Sequence, residues 1–242
     1  VNMPRLVEAL VEEELRAVNA GGNFSMALTK AGELYAWGSG EGGTLGLGDE
    51  QDYFTPQLVS GLAGIRLTDV KCGAHHTLAL THDGEVYVWG RGANGVLGLG
   101  GSTQYADDDD VKFPARIPQP APSSDGGDST RLVHAIGAGH YHSAFTADTD
   151  GELYTWGLNA EGRLCHGDST GRSSPETTLI GKVKRMALGG SHTLLIIGSG
   201  ALMACGWNEH GQLGIGAAAE AQAFPHPITI GDLPDGASAD GV

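Results

Sequence analysis

One pattern is written four times along this chain. The copies are GGNFSMALTKAGELYAWGSGEGGTLGLG from Gly21, GAHHTLALTHDGEVYVWGRGANGVLGLG from Gly73, GHYHSAFTADTDGELYTWGLNAEGRLCHG from Gly139 and GGSHTLLIIGSGALMACGWNEHGQLGIG from Gly189. Their leading glycines lie 52, 66 and 50 residues apart. A second marker, Pro56, Pro114, Pro175 and Pro225, recurs between them. Pro4 heads the same series, because Leu6, Val7, Leu10 and Val18 match Leu58, Val59, Leu62 and Val70. The repeat periods are therefore 4–55, 56–113, 114–174 and 175–224, with 225–242 opening a further one. A unit of this size cannot bury its apolar face alone, so neighbouring units must stack.

Each unit reads as strands. In HTLALT, Leu78 and Leu80 point one way while Thr77 and Ala79 point the other. Asp83-Gly84 is a tight-turn signal, with Ala31-Gly32, Asp150-Gly151 and Ser199-Gly200 in the same place. VYVW returns as the next strand. The run around Leu67 and Val70 supplies a strand before Gly73, and a fourth is expected after the proline. Four short strands per period of about 50 residues describe a propeller blade. The expected fold is all-β, with 1–242 a partial β-propeller. One segment conflicts with this: Glu8 to Val18, EALVEEELRAV, carries good helix formers. Its counterpart holds Gly61 and Gly64, so the repeat predicts a strand over Leu15 to Val18 and leaves a helical turn open near Glu12.

The 40 glycines follow no Gly-X-Y period and cluster between apolar runs, as in a turn-rich β protein. A formal charge of −15 repels phosphate backbones and argues against direct nucleic-acid binding. No apolar run is long enough to span a membrane, and no leader is visible. The cysteines, Cys72, Cys165 and Cys205, are odd in number and lack CxxC spacing. They suggest neither a disulfide framework nor a zinc site, which favours the cytoplasm or nucleus.

The side chains that resemble chemistry belong to the repeat. Gly38, Gly40 and Gly43, like Gly90, Gly92 and Gly95, spell GxGxxG. They lead into TLGLG and VLGLG rather than a helix, which disfavours a dinucleotide site. His76, His142 and His192 share one position, so a buried structural hydrogen bond is expected in place of a metal site that His140 and His142 could begin. Ser25, Thr77, Ser143 and Thr193 follow that position and are expected to satisfy backbone groups. Trp37, Trp89 and Trp156 are expected to pack blade on blade. No hydrolytic constellation stands outside the repeat, so no catalytic residues and no cofactor are assigned.

What does not repeat is the stretch 101–130, expected to be loop insertions: an acidic run, Asp107, Asp108, Asp109 and Asp110, and a Pro/Ser/Gly/Asp-rich run, Gln119 to Asp128. Insertions in repeat proteins go to loops, often on a binding face. The acidic run is the candidate contact for a basic protein partner. A calcium loop would alternate its ligands around a turn glycine, which this run does not.

Taken together, a glycine, a His-Ser/Thr pair, an ALT-like strand, a turn glycine, VYxWG and a GQLG-like turn resemble the regulator of chromosome condensation repeat. The resemblance covers nearly the whole chain and implies a ring of about seven blades. Four periods supply part of such a ring, so blade faces and strand edges are expected bare at both ends. Three departures stand out. Phe24 takes the histidine position, Cys205 the tryptophan position, and Cys165 the glycine position of Gly46, Gly98 and Gly214. The family's light-sensing member clusters tryptophans in a Gly-Trp-Arg-His-Thr pattern; here those places read GAHHT, GHYHS and GGSHT, which disfavours that role. The resemblance implies a non-enzymatic scaffold for protein–protein interaction. Its alternative is the activity of the founding member, guanine-nucleotide exchange on the small GTPase Ran. A propeller fused to a ubiquitin ligase or kinase domain would show only beyond these ends.

Overall fold

A computed structural model describes residues 3–100, 109–118, 132–148, 151–216 and 221–228. It contains four four-stranded antiparallel sheets, each a meander in chain order. The first blade is β1 (Leu15–Ala20), β2 (Phe24–Thr29), β3 (Leu34–Gly38) and β4 (Tyr53–Leu58). The second is β5 (Leu67–Cys72), β6 (His76–Thr81), β7 (Val86–Gly90) and β8 (Val111–Arg116). The third is β9 (Val133–Ala138), β10 (His142–Ala147), β11 (Glu152–Gly157) and β12 (Arg172–Thr177). The fourth is β13 (Val183–Leu188), β14 (His192–Ile197), β15 (Leu202–Gly206) and β16 (Gln222–Pro227).

The marker prolines lie inside the fourth strands instead of ahead of them: Pro56 in β4, Pro114 in β8, Pro175 in β12 and Pro225 in β16. These are edge strands, so a missing N–H on the outer side breaks no ladder bond. The helix-prone opening resolves as a short 3-10 turn, Glu8–Leu10, followed by β1. The second unit has the same turn at Ser60–Leu62, and Leu10 and Leu62 are both buried. Local propensity thus yields one turn before the repeat takes over.

The second strands of the two inner blades, β6 and β10, sit between stacked blades and are buried throughout, whereas β14 of the fourth blade is only partly buried. The main apolar cluster runs through the first three blades, from Phe24 and Leu28 to Leu78, Trp89, Phe145 and Trp156. A second, smaller cluster of Ala144, Leu153, Cys165, Val183, Leu195 and Cys205 joins the third blade to the fourth. On the outer face of the first blade, Val18 is 71% exposed, whereas its counterpart Val70, covered by that blade, is 1% exposed.

Backbone hydrogen bonds fasten each seam at two further places. Hairpin-turn carbonyls of Gly32, Gly84 and Gly151 accept from Leu67, Val133 and Val183 of the next blade, at 3.2, 3.2 and 2.9 Å. Gly48, Gly100 and Gly167 donate to Lys112, Ser173 and Ala223 of the next blade, at 3.0, 2.8 and 3.0 Å. The blades also approach closely at the GQLG-like turn. A Cβ on Gly98, whose φ is +67°, would lie 2.5 Å from Trp156 Nε1 in the next blade. Gly98→Ala is therefore expected to destabilise the protein by about 3 kcal/mol in urea unfolding. Gly181→Ala, at a glycine with no atom within 4 Å of its would-be Cβ, should change stability by under about 0.5 kcal/mol.

Candidate functional site

The conspicuous side chains of the repeat converge on one buried carbonyl per seam. Between the second and third blades it is the Val96 carbonyl. It accepts from Trp156 Nε1 at 2.8 Å and from Ser143 Oγ at 2.9 Å, both of the third blade. Ser143 has one hydroxyl proton, given to Val96, so at 2.9 Å it must accept from His76 Nε2 of the second blade. This fixes the His76 tautomer as the Nε2–H form. A four-member relay thus crosses the seam: histidine to hydroxyl to carbonyl, with the indole on the carbonyl's other lone pair.

The other seams are edited copies. Between the third and fourth blades, Thr193 Oγ1 donates to the Arg163 carbonyl at 2.8 Å and lies 3.0 Å from His142 Nε2. Between the first and second, Trp89 Nε1 donates to the Thr44 carbonyl at 3.0 Å. There Phe24 replaces the histidine and offers no N–H. The buried Thr77 Oγ1 has no hydrogen-bond partner among the described residues, with the Cys72 thiol as a polar neighbour. The leading glycines lie flat on these rings: a Cβ on Gly73 would sit 2.1 Å from His76 Cε1, and one on Gly21 would sit 2.1 Å from Phe24 Cε1. His192, in the fourth blade, is half-buried, as is Trp37 in the first. Gly139 and Gly189 stand over His142 and His192 in the same way.

Cys165 and Cys205 are joined in a disulfide across the third seam, with Cα atoms 5.6 Å apart. This corrects the expectation that the cysteines form no disulfide framework. In the sister seams the same two positions are Gly46 against Trp89 and Gly98 against Trp156. Aligning repeats shows which residues share a place, but not that the turn of one blade touches the tryptophan position of the next. The bond closes a loop of 40 residues of separation, a constraint of about 4 kcal/mol in the chain-entropy account. The Cys205 sulfur lies 3.6 Å from the Arg163 carbonyl oxygen, where the other seams place the indole nitrogen.

The acidic run divides. Asp109 and Asp110 are exposed, and Asp107 and Asp108 lie outside the described residues. Asp110 accepts from the Gly92 N–H at 3.0 Å, as Asp52 does from Gly40 at 3.0 Å. It therefore anchors the loop between the third and fourth strands. Sequence comparison missed this because insertions hide the register of Asp110 with Asp52. Around it, Lys112 Nζ pairs with Glu50 of the first blade at 2.6 Å. That hydrogen bond raises the Lys112 pKa, helped by the nearby charges of Asp110 and Asp49. The GxGxxG glycines end β3 and β7 and enter three-residue 3-10 turns, Glu41–Gly43 and Ala93–Gly95. The inner strand ends meet at a cavity lined by Gly21, Gly73, Gly139, His140 and Gly189. No group of three or more metal-ligating side chains is found among the described residues. No described helix is long and apolar enough to cross a membrane.

Burial pushes His76 and His142 down to about 3, from the ordinary 6.5. Both rings are neutral in the fold and charge in the unfolded chain below about pH 6.5. The stability they hold is fully present above that pH. It is lost as pH falls toward 3, at up to about 1.4 kcal/mol per pH unit per histidine. The double variant H76F/H142F borrows the residue the first blade already uses, Phe24. It should flatten this slope in urea unfolding measured between about pH 4 and 7.

Residues 1–239 match the family model of the RCC1-like domain. The ultraviolet-B receptor UVR8 of Arabidopsis thaliana is 38% identical over 229 residues, 93% of this chain and 48% of that one. The human E3 ubiquitin-protein ligase HERC2 is 38% identical over 218 residues, 88% of this chain and 4% of that one. Human WBSCR16 superimposes with a TM-score of 0.77 at 26% identity, covering 90% of this chain and 54% of that one. Yeast RCC1 (Prp20) does so with a TM-score of 0.74 at 22% identity, covering 90% and 49%, a likeness of fold alone. The chain spans about half the length of the plant receptor and a small part of the ligase.

Proposed function

The chain belongs to the RCC1-like domain family, and on that premise we propose that it is a protein-binding propeller domain that holds a basic protein partner on the loops between third and fourth strands. The observation that carries the reading is the acidic rim. Glu50 and Asp49 of the first blade and Asp110 of the second gather around Lys112, with Asp109 exposed beside them and Asp107 and Asp108 just ahead in the chain. Exposed charge of one sign steers and selects a partner of the other. The histidines and tryptophans offer a partner little, because the seams bury His76, His142, Trp89 and Trp156. Yeast Prp20p has binding properties toward Gsp1p and histones, and histones are strongly basic, which makes core histones the natural probe.

The full chain is expected to bind core histones at about 0.1 M salt and to release them by about 0.5 M. The triple variant D107N/D108N/D109N should weaken that binding at least about fivefold. Asp110 is left in place because it holds the Gly92 amide. Equal affinity of the variant and the wild type in a binding titration would count against the proposal.

The alternative reading, guanine-nucleotide exchange on a Ran-like small GTPase, is supported by the fold likeness to Prp20 alone. Release of a fluorescent nucleotide from Ran no faster than the spontaneous rate sets it aside. The ligase activity in the name of HERC2 is not carried over, since the match covers 4% of that protein. Nor is the light sensing in the name of UVR8, given that Trp89 and Trp156 are each fully buried and bonded to a seam carbonyl.

A further inference from the structure

We propose that Cys165 and Cys205 form a reversible redox-modification site that staples the fourth blade to the third. Both members of a touching pair have changed together. Where Gly98 faces Trp156, a Cβ would lie 2.5 Å from the indole nitrogen, and where Gly46 faces Trp89 it would lie 2.7 Å away. A cysteine at this turn position fits only if the indole is gone, and in the third seam it is. The turn backbone keeps its shape, with Cys165 at φ +64° against +67° at Gly98. The Cα atoms stand 5.6 Å apart, within the span of an unforced disulfide.

The bond matters to this seam more than it would to the others. The Val96 carbonyl in the second seam receives an indole N–H and a hydroxyl. In the third seam Arg163 receives the Thr193 hydroxyl, and a disulfide-bonded Cys205 has no proton to add. The apolar cluster here is the smaller of the two and separate from the main one. In the dithiol state the Cys205 S–H, 3.6 Å from the Arg163 oxygen, becomes a weak donor in the indole's place. The reduced seam therefore stays folded but opens more easily.

The chemistry is thiol–disulfide exchange with a low-molecular-weight disulfide. One protein thiolate attacks a sulfur of the reagent, forming a mixed disulfide and releasing the first small thiol. The second protein thiolate displaces the other. Two protein thiols and one reagent disulfide thus become one protein disulfide and two small thiols, with the reagent taking both electrons. Cys165 and Cys205 are 2% and 0% exposed, so the reagent gains access through opening of the fourth blade. Cys72, half-buried on β5, is the free cysteine and has no second thiol beside it to complete a protein disulfide, and burial also raises its thiol pKa.

The test equilibrates the full chain in glutathione buffers from fully reducing to fully oxidising. Thiols are read by alkylation and mass spectrometry, and blade opening by hydrogen exchange. Cys165 and Cys205 should oxidise together while Cys72 stays reduced. Exchange over 183–206 should slow by about tenfold or more on oxidation, with 67–90 changing less than about twofold. C165S/C205S should exchange like the reduced protein in every buffer. C165G/C205W, which restores the pair of the sister seams, should exchange slowly in every buffer. A pair that stays reduced throughout, or an exchange rate over 183–206 indifferent to oxidation, overturns the proposal. Should C165G/C205W fail to fold, the comparison of wild type with C165S/C205S decides alone.

Discussion

A stack of β-sheets has little to fix how its layers turn against one another. Apolar burial is non-directional and rewards any close contact. Here the direction comes from a buried carbonyl at the tip of each turn: Thr44, Val96 and Arg163. A main-chain oxygen with two lone pairs, withdrawn from water, must find donors, and leaving it unmatched costs about 1–3 kcal/mol. Its donors come from the next blade, so each blade is oriented by its neighbour. The histidine extends this by one step, holding the hydroxyl whose proton the carbonyl takes.

The arrangement explains why the repeat tolerates change at some places and ties changes together at others. Replacing the histidine by Phe24 keeps the ring stacked under its glycine and loses only a polar contact, stranding Thr77. Replacing the tryptophan by Cys205 removes both volume and a donor, and it accompanies a change across the seam at Cys165. Surface pairs that also cross seams, Arg91 with Glu41 and Lys112 with Glu50, are exposed and contribute little by comparison.

The blades themselves were legible in the residues. The turn glycines, the strand alternation and the shared histidine position each have a local physical cause, and the structure has strands and turns at those places. Which residues meet across a seam was not. A repeat alignment shows which residues occupy the same place, not which places touch. The prolines read as markers between units with a strand after each, yet an edge strand accommodates proline within it, as β8 does Pro114. Asp110 read as one of four equivalent carboxylates because its role depends on the Gly92 amide, brought near by a chain reversal that composition does not reveal. The rim that remains after the seams are accounted for is acidic and built from loops, the part of a propeller that varies without disturbing the stack.

The account stands on the claim that the histidine of one blade bonds the hydroxyl of the next. A double-mutant cycle reads this directly, with H142F and T193V made singly and together and stability measured by urea unfolding. The relay predicts a coupling of about 1 kcal/mol or more across the third seam. It predicts coupling near zero for F24L with T77V, where the histidine is missing. Coupling near zero at His142 and Thr193 would contradict the relay and leave the seam to its backbone hydrogen bonds, the disulfide and apolar contact.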